Sequence, residues 1–520
     1  MSQTNKYICT IDQGTTSTRC IIFSLLDCSI KAVHQIEHKQ YYPRSGWVEH
    51  DPLEIITNTK LCLNQAISNL YSEVPSFNAR EVLAIGITNQ RETLVVWDSV
   101  TGKPLYNAIV WLDTRTKGIA DQLSKQHGPN ALASATGLPF STYFSGIKLK
   151  WLIENVPEVK KQIEDGTALW GTIDSWILYS LSLEKVHCTD VTNASRTLLF
   201  NIKTLTFDKE LFDILEIPFK GFPEVKLSSC SSYATMAEGP LQGVNFCGIL
   251  GDQQSASVGQ SCIKVGSTKC TYGTGSFILK NIGNQFIQST TGLITTIAYQ
   301  FTEDEVFYAL EGSIATAGSA IQFLRDNLGL FKHVSEVEPL ARSVTESDCV
   351  FVPAFSGLFC PHWDTTARGT IVGMTLNTNK GHIVRSCLES VCHQVVDVIQ
   401  GAMDQDTTGI GLVSCEDLRI DGGMTQNQLL CQIQSDLLKI PVKVVRNKGP
   451  GNTWKSEATA LGVCLAAAVG CGYFNSIEAA VEHSQKHAEI LEYLPEMSSA
   501  KREEMKNLWK KALEKAKNWA

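Results

Sequence analysis

Four short stretches carry residue types that do chemistry. The first is Asp12-Gln13-Gly14-Thr15-Thr16-Ser17. An apolar run, Ile8-Cys9-Thr10-Ile11, ends at Asp12, and Arg19-Cys20-Ile21-Ile22-Phe23 reads as a return strand. Gly14 permits positive φ, so successive backbone N–H groups can point into one concavity surrounded by three hydroxyls. Asp12, at the strand end, can hold a metal ion through water. The turn reads as a phosphate-and-magnesium device built on a hairpin, or as an ordinary hairpin with a polar turn. The second is Gly251-Asp252-Gln253-Gln254, after an apolar strand and before a helix start. A carboxylate there can accept the proton of an attacking hydroxyl, or it can cap the helix. The third is Arg91-Glu92, between apolar strands at 82–87 and 93–97. Arginine donates to hydroxyl oxygens and the carboxylate accepts from their protons; a solvated charge pair in a turn is the other reading. The fourth is Asp421-Gly422-Gly423, whose glycines let a flat ligand approach the backbone, or simply turn the chain into a helix.

These residues need elements to place them. Strands are expected at 7–12, 19–24 and 31–41, in a meander. Asp51-Pro52-Leu53-Glu54 opens a helix, with an N-cap, Pro at N1 and Glu at N3. Leu63, Ala66, Ile67 and Leu70 supply its buried face. Lys269 to Asn281 repeats the opening plan: a short strand, a Gly273-Thr274-Gly275 turn and a return strand. Two such hairpins imply a duplicated α/β domain with one phosphate loop per half, divided near Ser261. A helix is expected from about Glu311, where Ile314, Ala317, Ile321, Leu324 and Leu328 step by three and four. Gly318 and Gln322 share a face of it. Another helix follows Gly423, with Asn427 in its first turn. His34 and His38 lie four apart in a strand-like segment without a third ligand, and read as surface histidines.

Composition narrows the class. A chain of 520 residues exceeds the size at which one core stops growing. Net charge of −8 argues against nucleic acid as the main partner. The 17 cysteines are scattered without a Cys-x-x-Cys pair, as expected for reduced thiols in the cytoplasm. The N-terminus lacks a signal-peptide core. No run reaches the roughly 18 apolar residues that span a bilayer; the longest candidate is broken by Gly462, Gly470 and Gly472.

Taken together the motifs resemble the FGGY carbohydrate kinases of the actin-like ATPase superfamily, and within them the branch that phosphorylates glycerol. The resemblance runs from Tyr7 to Trp519. It is carried by Asp12 to Ser17, Asn89-Gln90-Arg91-Glu92-Thr93, Trp111-Leu112-Asp113-Thr114-Arg115-Thr116 and Tyr143-Phe144-Ser145-Gly146. Gly171-Thr172-Ile173-Asp174-Ser175-Trp176 and Asp190-Val191-Thr192-Asn193-Ala194-Ser195-Arg196-Thr197 continue it, followed by Gly251 to Gln254, Tyr272-Gly273-Thr274-Gly275 and Phe351-Val352-Pro353-Ala354-Phe355. It implies an α/β fold of two ribonuclease-H-like domains around a deep catalytic cleft, with residues 1–260 holding the acceptor site and 261–520 the adenine nucleotide. The implied reaction is ATP-dependent phosphorylation of glycerol to sn-glycerol 3-phosphate. The resemblance makes Asp252 the general base and assigns glycerol to Arg91, Glu92, Tyr143, Asp252 and Gln253, with Trp111 and Phe277 covering its C–H face. Thr15, Thr16, Ser17 and Arg19 would contact phosphate, Thr274 would approach from the second domain, and Gly318, Gln322, Gly423 and Asn427 would line the adenine and ribose site. Mg²⁺ would lie at Asp12 and Asp252. A homo-oligomer, dimer or tetramer, is the family expectation. The alternatives are a kinase of the same family for another polyol or ketose, or an inactive nucleotide-binding scaffold.

Some stretches depart from the family pattern. Residues 447–456 add about six positions before Glu457-Ala458-Thr459-Ala460-Leu461-Gly462, in a loop where length costs little. Gly449 to Ser456 approximates a P-loop but has Trp454 where Gly is required. Leu358 to Asp364 carries larger residues and a His in place of a usual Tyr, and 395–418 is slightly long. Bacterial relatives bind a sugar bisphosphate through a basic loop, whereas no Lys or Arg occurs between Lys226 and Lys264. Inhibition by fructose 1,6-bisphosphate is therefore not expected. The end of the chain, Lys501 to Ala520, is a basic amphipathic helix with an apolar stripe of Met505, Leu508, Trp509, Ala512, Leu513 and Ala516. Packing on the protein is the preferred reading, and a membrane surface the alternative.

Overall fold

The computed structural model describes residues 5–345, 347–408 and 415–519. In the first half, β1 (Tyr7–Gln13), β2 (Ser17–Ser24) and β3 (Ile30–Glu37) form an antiparallel meander, followed by α1 (Pro52–Glu73) and β4 (Val82–Asn89). After a long excursion the chain returns as β5 (Ser229–Thr235), β6 (Asn245–Gly251) and α2 (Asp252–Gly259). The strand order is β5-β6-β4-β1-β2-β3, with β1, β4 and β6 parallel. The second half opens with β7 (Thr268–Tyr272), β8 (Ser276–Gly283), β9 (Ile294–Thr302), β10 (Glu305–Ile314) and α3 (Gly318–Asp326). It continues through α4 (Lys380–Val398), β11 (Leu418–Asp421), α5 (Gln428–Leu438), β12 (Val442–Gly449) and β13 (Thr453–Lys455). The last elements are α6 (Ala458–Gly470), β14 (Glu489–Tyr493) and α7 (Ser499–Ala516). Here the order is β9-β10-β8-β7-β11-β12, with β13 and β14 both paired to β12. Each sheet thus has an antiparallel trio (β1-β2-β3 and β7-β8-β10), two parallel strands beside its first member, and an antiparallel edge (β5 and β14). One α/β plan is used twice.

The apolar runs follow from this layering. β1 is buried on both faces and shows no polar alternation. Tyr7, Cys9 and Ile11 pack with Leu63, Ala66, Ile67 and Leu70 of α1. Asp51 caps that helix, its Oδ1 accepting from the Leu53 N–H at 2.8 Å. Glu54 instead accepts from the Lys39 N–H, so no capping box closes. On the opposite face Ile8, Ile21 and Phe23 pack with Ala460, Leu461, Cys464 and Leu465 of α6. A helix from the second half therefore covers the first sheet. It crosses α2 in near backbone contact: a Cβ on Gly462 would sit 1.8 Å from the Ser255 carbonyl oxygen, and one on Gly259 1.9 Å from that of Ala458. Gly462, one of the glycines that interrupt the apolar run, and Gly259 of α2 make this crossing possible. Gly462→Ala is expected to wedge the helices apart and cost about 1–3 kcal/mol, read as a lowered thermal midpoint.

Several expectations are corrected. β3 stops at Glu37 rather than 41, and the second apolar strand begins at Val95 rather than Thr93. His38 is not a surface residue: the chain beyond β3 folds beneath the first hairpin turn, leaving His38 buried edge-on against His50. Glu311 lies in β10 and not in a helix. That strand is paired on both sides, and the apparent helical spacing spans a strand end and the start of α3 at Gly318. Leu328, outside α3, is exposed. Asn427 is the N-cap of α5 rather than a first-turn residue. The 447–456 insertion is not a loop: it continues β12 into a hairpin with β13, pairing Asn447 with Lys455. From it the Asn447 amide donates to the Cys28 carbonyl of the first half at 3.3 Å. Beyond α4 the helix continues as a π turn, Ile399–Met403; part of the long 395–418 stretch, 409–414, is outside the described residues.

The C-terminal helix packs on the protein. Trp509, Ala512, Leu513 and Ala516 join Val352, Ala354, Leu358 and Ala367 in one cluster. The Trp509 indole N–H donates to Asp397 at 2.8 Å, and His362, from the altered 358–364 stretch, contacts the same carboxylate at 3.1 Å. Among the described residues no helix is long and apolar enough to cross a membrane. All 17 cysteines are free thiols.

Candidate active site

The first hairpin turn is built, but not as expected. Gly14 does not adopt positive φ. Its N–H closes the turn on the Ser17 carbonyl at 2.9 Å. The turn is braced from below. The Thr15 carbonyl accepts from Gln40 Nε2 at 2.9 Å and meets His38 Nε2 at 2.8 Å, and Gln90 Nε2 donates to the Gln13 side chain and the Gly14 carbonyl. Burial pushes the His50 imidazole down to about 3 and His38 below its ordinary value, so both are neutral parts of this brace. Thr15 Oγ1 accepts from the Trp111 indole N–H at 2.9 Å. Thr16 is exposed and Ser17 half-buried, so both hydroxyls can meet a ligand. Arg19 does not reach into an open phosphate cradle: it pairs with Asp12 and, at 3.0 Å, with Glu457 at the start of α6.

Asp252 is the first residue of α2, at the C-terminal end of β6, and its partly exposed carboxylate leaves the cap position to Gly251. Its Oδ1 accepts from the Gln253 N–H at 2.7 Å and lies 3.4 Å from Arg91 Nε. Burial pushes its pKa up to about 6; Arg91 and Lys269 oppose that rise, while Glu92 and Asp12 add to it. A carboxyl group poised there is suited to proton transfer near neutrality. Gln253 is buried, and its Oε1 accepts from the buried Lys269 at 2.5 Å.

Arg91 and Glu92 are not a solvated pair. Arg91 is 2 % exposed, with Nη1 and Nη2 donating to the two oxygens of Glu311 at 2.6 and 2.9 Å. Glu92 is buried at φ +60°, a strained conformation for this residue, and accepts from Arg196 Nε at 2.6 Å. Arg196 also donates to Glu311 at 3.1 Å. Burial works against ionisation of Glu311, but Arg196 and Arg91 outweigh it and hold the carboxylate down at about 2. Beside this cluster stands an aromatic wall. The Trp111 ring lies edge-on to Tyr143 at 5.5 Å and to Phe277 of the second half at 5.8 Å. Burial pushes the Tyr143 hydroxyl above its ordinary value, so it is a neutral donor.

Three glycine-bearing turns meet on the other side. The Gly273 carbonyl accepts from the Gly318 N–H at 3.0 Å, and that of Thr274 from the Ala317 and Ser319 N–H groups. A Cβ on Gly318 would stand 2.6 Å from the Gly273 oxygen and 3.8 Å from Met424 Cγ, so the turn after β11 abuts the same spot. Thr274 and Gln322 are exposed, and a Cβ on Gly423 would meet open space. Asn427 spends its Oδ1 on the Leu430 N–H. Gly318→Ala is expected to spread these turns and cost about 1–3 kcal/mol of stability, read as a lowered thermal midpoint.

Arg196, Glu311 and Lys269 were missed as site residues. The signal available was a charge inside an apolar strand: Tyr308-Ala309-Leu310-Glu311-Gly312 and Thr268-Lys269-Cys270 each bury an ion that must be paired.

A duplicated sheet plan divides the chain into two similar α/β halves, with the Asp252 carboxylate at the end of β6 in one and glycine-bearing turns at the ends of β7 and β11 in the other. Family models agree. The N-terminal domain of the FGGY family of carbohydrate kinases matches residues 7–259, and the C-terminal domain of that family matches 268–471. The chain belongs to the FGGY family of carbohydrate kinases. It is 44 % identical over 519 residues to a glycerol kinase of Azorhizobium caulinodans, covering 99 % of each chain. A glycerol kinase of Brucella anthropi is 45 % identical over 518 residues, again at 99 % of each. The crystal structure of Plasmodium falciparum glycerol kinase with ADP superposes with a TM-score of 0.89 at 38 % identity, over 98 % of both chains.

Proposed function

We propose that this chain transfers the γ-phosphoryl group of ATP to glycerol, giving sn-glycerol 3-phosphate and ADP. The carrying observation is the juxtaposition of the Asp252 carboxylate, the Arg91 Nε edge 3.4 Å away and the Trp111–Tyr143–Phe277 wall. A small polyol needs an acceptor and donor for its hydroxyls and a flat apolar surface for its C–H face, and this corner supplies all three. Asp252 takes the proton of the attacking hydroxyl as its oxygen bonds to the γ-phosphorus. The bond from that phosphorus to the bridging oxygen breaks and ADP leaves. The free hydroxyls of Thr16 and Ser17 hold phosphate oxygens, while Thr274, Gly318, Gln322, Gly423 and Asn427 border the nucleotide. We place the acceptor half at 1–260 and the nucleotide half at 261–520, and the enzyme in the cytoplasm, where its free thiols stay reduced.

Magnesium suits the donor set. Asp12 near the end of β1 and Asp252 directly after the parallel strand β6 offer oxygen ligands at the same end of one sheet, and Asp12 raises the pKa of Asp252, so their charges repel. A cation that keeps most of its waters and takes one or two carboxylates plus substrate phosphates fits such a pair. When bound it would neutralise charge on the β- and γ-phosphates. Asp12 would have to share its carboxylate with Arg19.

The test is coupled ADP release with Mg-ATP and a panel of glycerol, other polyols and ketoses. Turnover that requires glycerol supports the reading. Turnover with another polyol or a ketose moves the substrate within the family, and no turnover with any of them refutes the kinase assignment for this chain.

A further inference from the structure

We propose that Glu311 is a positioning residue for the acceptor arginine: from the second half of the chain it orients Arg91 of the first, so the hydroxyl-binding corner is assembled by contact between the halves. This rests on the function proposed above. β8 and β10 deliver both second-half contributions to that corner. Leu279 pairs with Glu311 and Phe277 with Ser313, so Phe277 and Glu311 are diagonal neighbours on one face of the sheet. Phe277 completes the aromatic wall, and Glu311 takes both terminal nitrogens of Arg91.

A planar guanidinium held by two parallel bonds has one orientation left, which turns the Nε edge toward Asp252. Neutralisation alone would not need Glu311, because Glu92 and Asp252 already lie 3.9 and 3.4 Å from Arg91 Nε. Nor is net stability a sufficient reason, since buried ion pairs seldom exceed their desolvation cost. Arg196 fixes the other side of the arrangement. It joins Glu311 to Glu92, so two arginines and two glutamates alternate in a closed, buried set. Gln254 adds an acceptor to Arg91 Nη1 at 3.3 Å.

The experiment uses the full chain. Glu311→Gln removes a buried charge shared by Arg91 and Arg196 and so changes electrostatics as well as orientation; the decisive variant is Glu311→Asp, which keeps the charge and shortens the reach. Expected is a rise of at least about tenfold in KM for glycerol, with KM for ATP within about twofold of the parent. The rise in thermal midpoint that glycerol alone produces in the parent should be lost at the same glycerol concentration. Restoring Glu restores both. If the two KM values rise together, or if both stay within about twofold, Glu311 is structural and the proposal fails. The parent, assayed beside it, separates the two claims: no glycerol-dependent turnover in the parent overturns the function and this assignment with it.

Discussion

Asp252→Asn is expected to lower kcat by about 10²–10⁴-fold while ADP still binds. The substitution keeps the side-chain shape and the bond from the Gln253 N–H, and removes the ability to take a proton together with the charge that faces Arg91. Phosphoryl transfer leans on positioning and charge neutralisation, so residual turnover remains. The pH dependence gives a second reading of the same carboxylate. The base must be ionised to act, and burial pushes its pKa up to about 6. In the parent, kcat/KM should therefore fall as pH drops through about 6 and be level above it. An acid limb near 4 would mean that the carboxylate is as solvated as in a free peptide. In Asp252→Asn this limb should vanish. Survival of full activity in the variant would remove Asp252 from the mechanism.

Arg91→Met should be the most damaging single change. It leaves Glu311 with Arg196 alone and takes the counter-charge from beside Asp252. Breaking a buried ion pair by deleting one partner costs roughly 3–5 kcal/mol, so the denaturation midpoint should drop steeply and binding of glycerol should be lost. Arg91→Lys separates the contributions. It keeps the charge and loses the fork, so stability should largely recover while the KM for glycerol stays high, because one ammonium cannot hold both Glu311 oxygens and also face Asp252. Equal recovery of both would mean that charge alone matters at this position.

The first-half hairpin, the cap at Asp51, the buried stripe of α1, the second hairpin and the strand–Asp–helix join at Asp252 were all legible, because each is decided within a few residues of chain. The misreadings share one cause. Glu311 was placed in a helix because apolar residues at helical spacing happened to straddle a strand end, and pairing of β10 with strands on both sides overrode that spacing. His38 looked exposed because nothing local shows that the turn above it closes over the ring. The 447–456 insertion looked like a loop because only β12, which it extends, gives it a strand to pair with.

By itself, then, the chain determined the repeated hairpins, a carboxylate at a helix start and the family to which these belong, since those depend on residue type and short spacing. Tertiary structure alone decided how the site is wired. A glutamate inside an apolar strand requires a cation, but nothing nearby in sequence says which one. The answer is Arg91, 220 residues away, and it exists only because folding lays the two halves together at a place where water cannot serve instead.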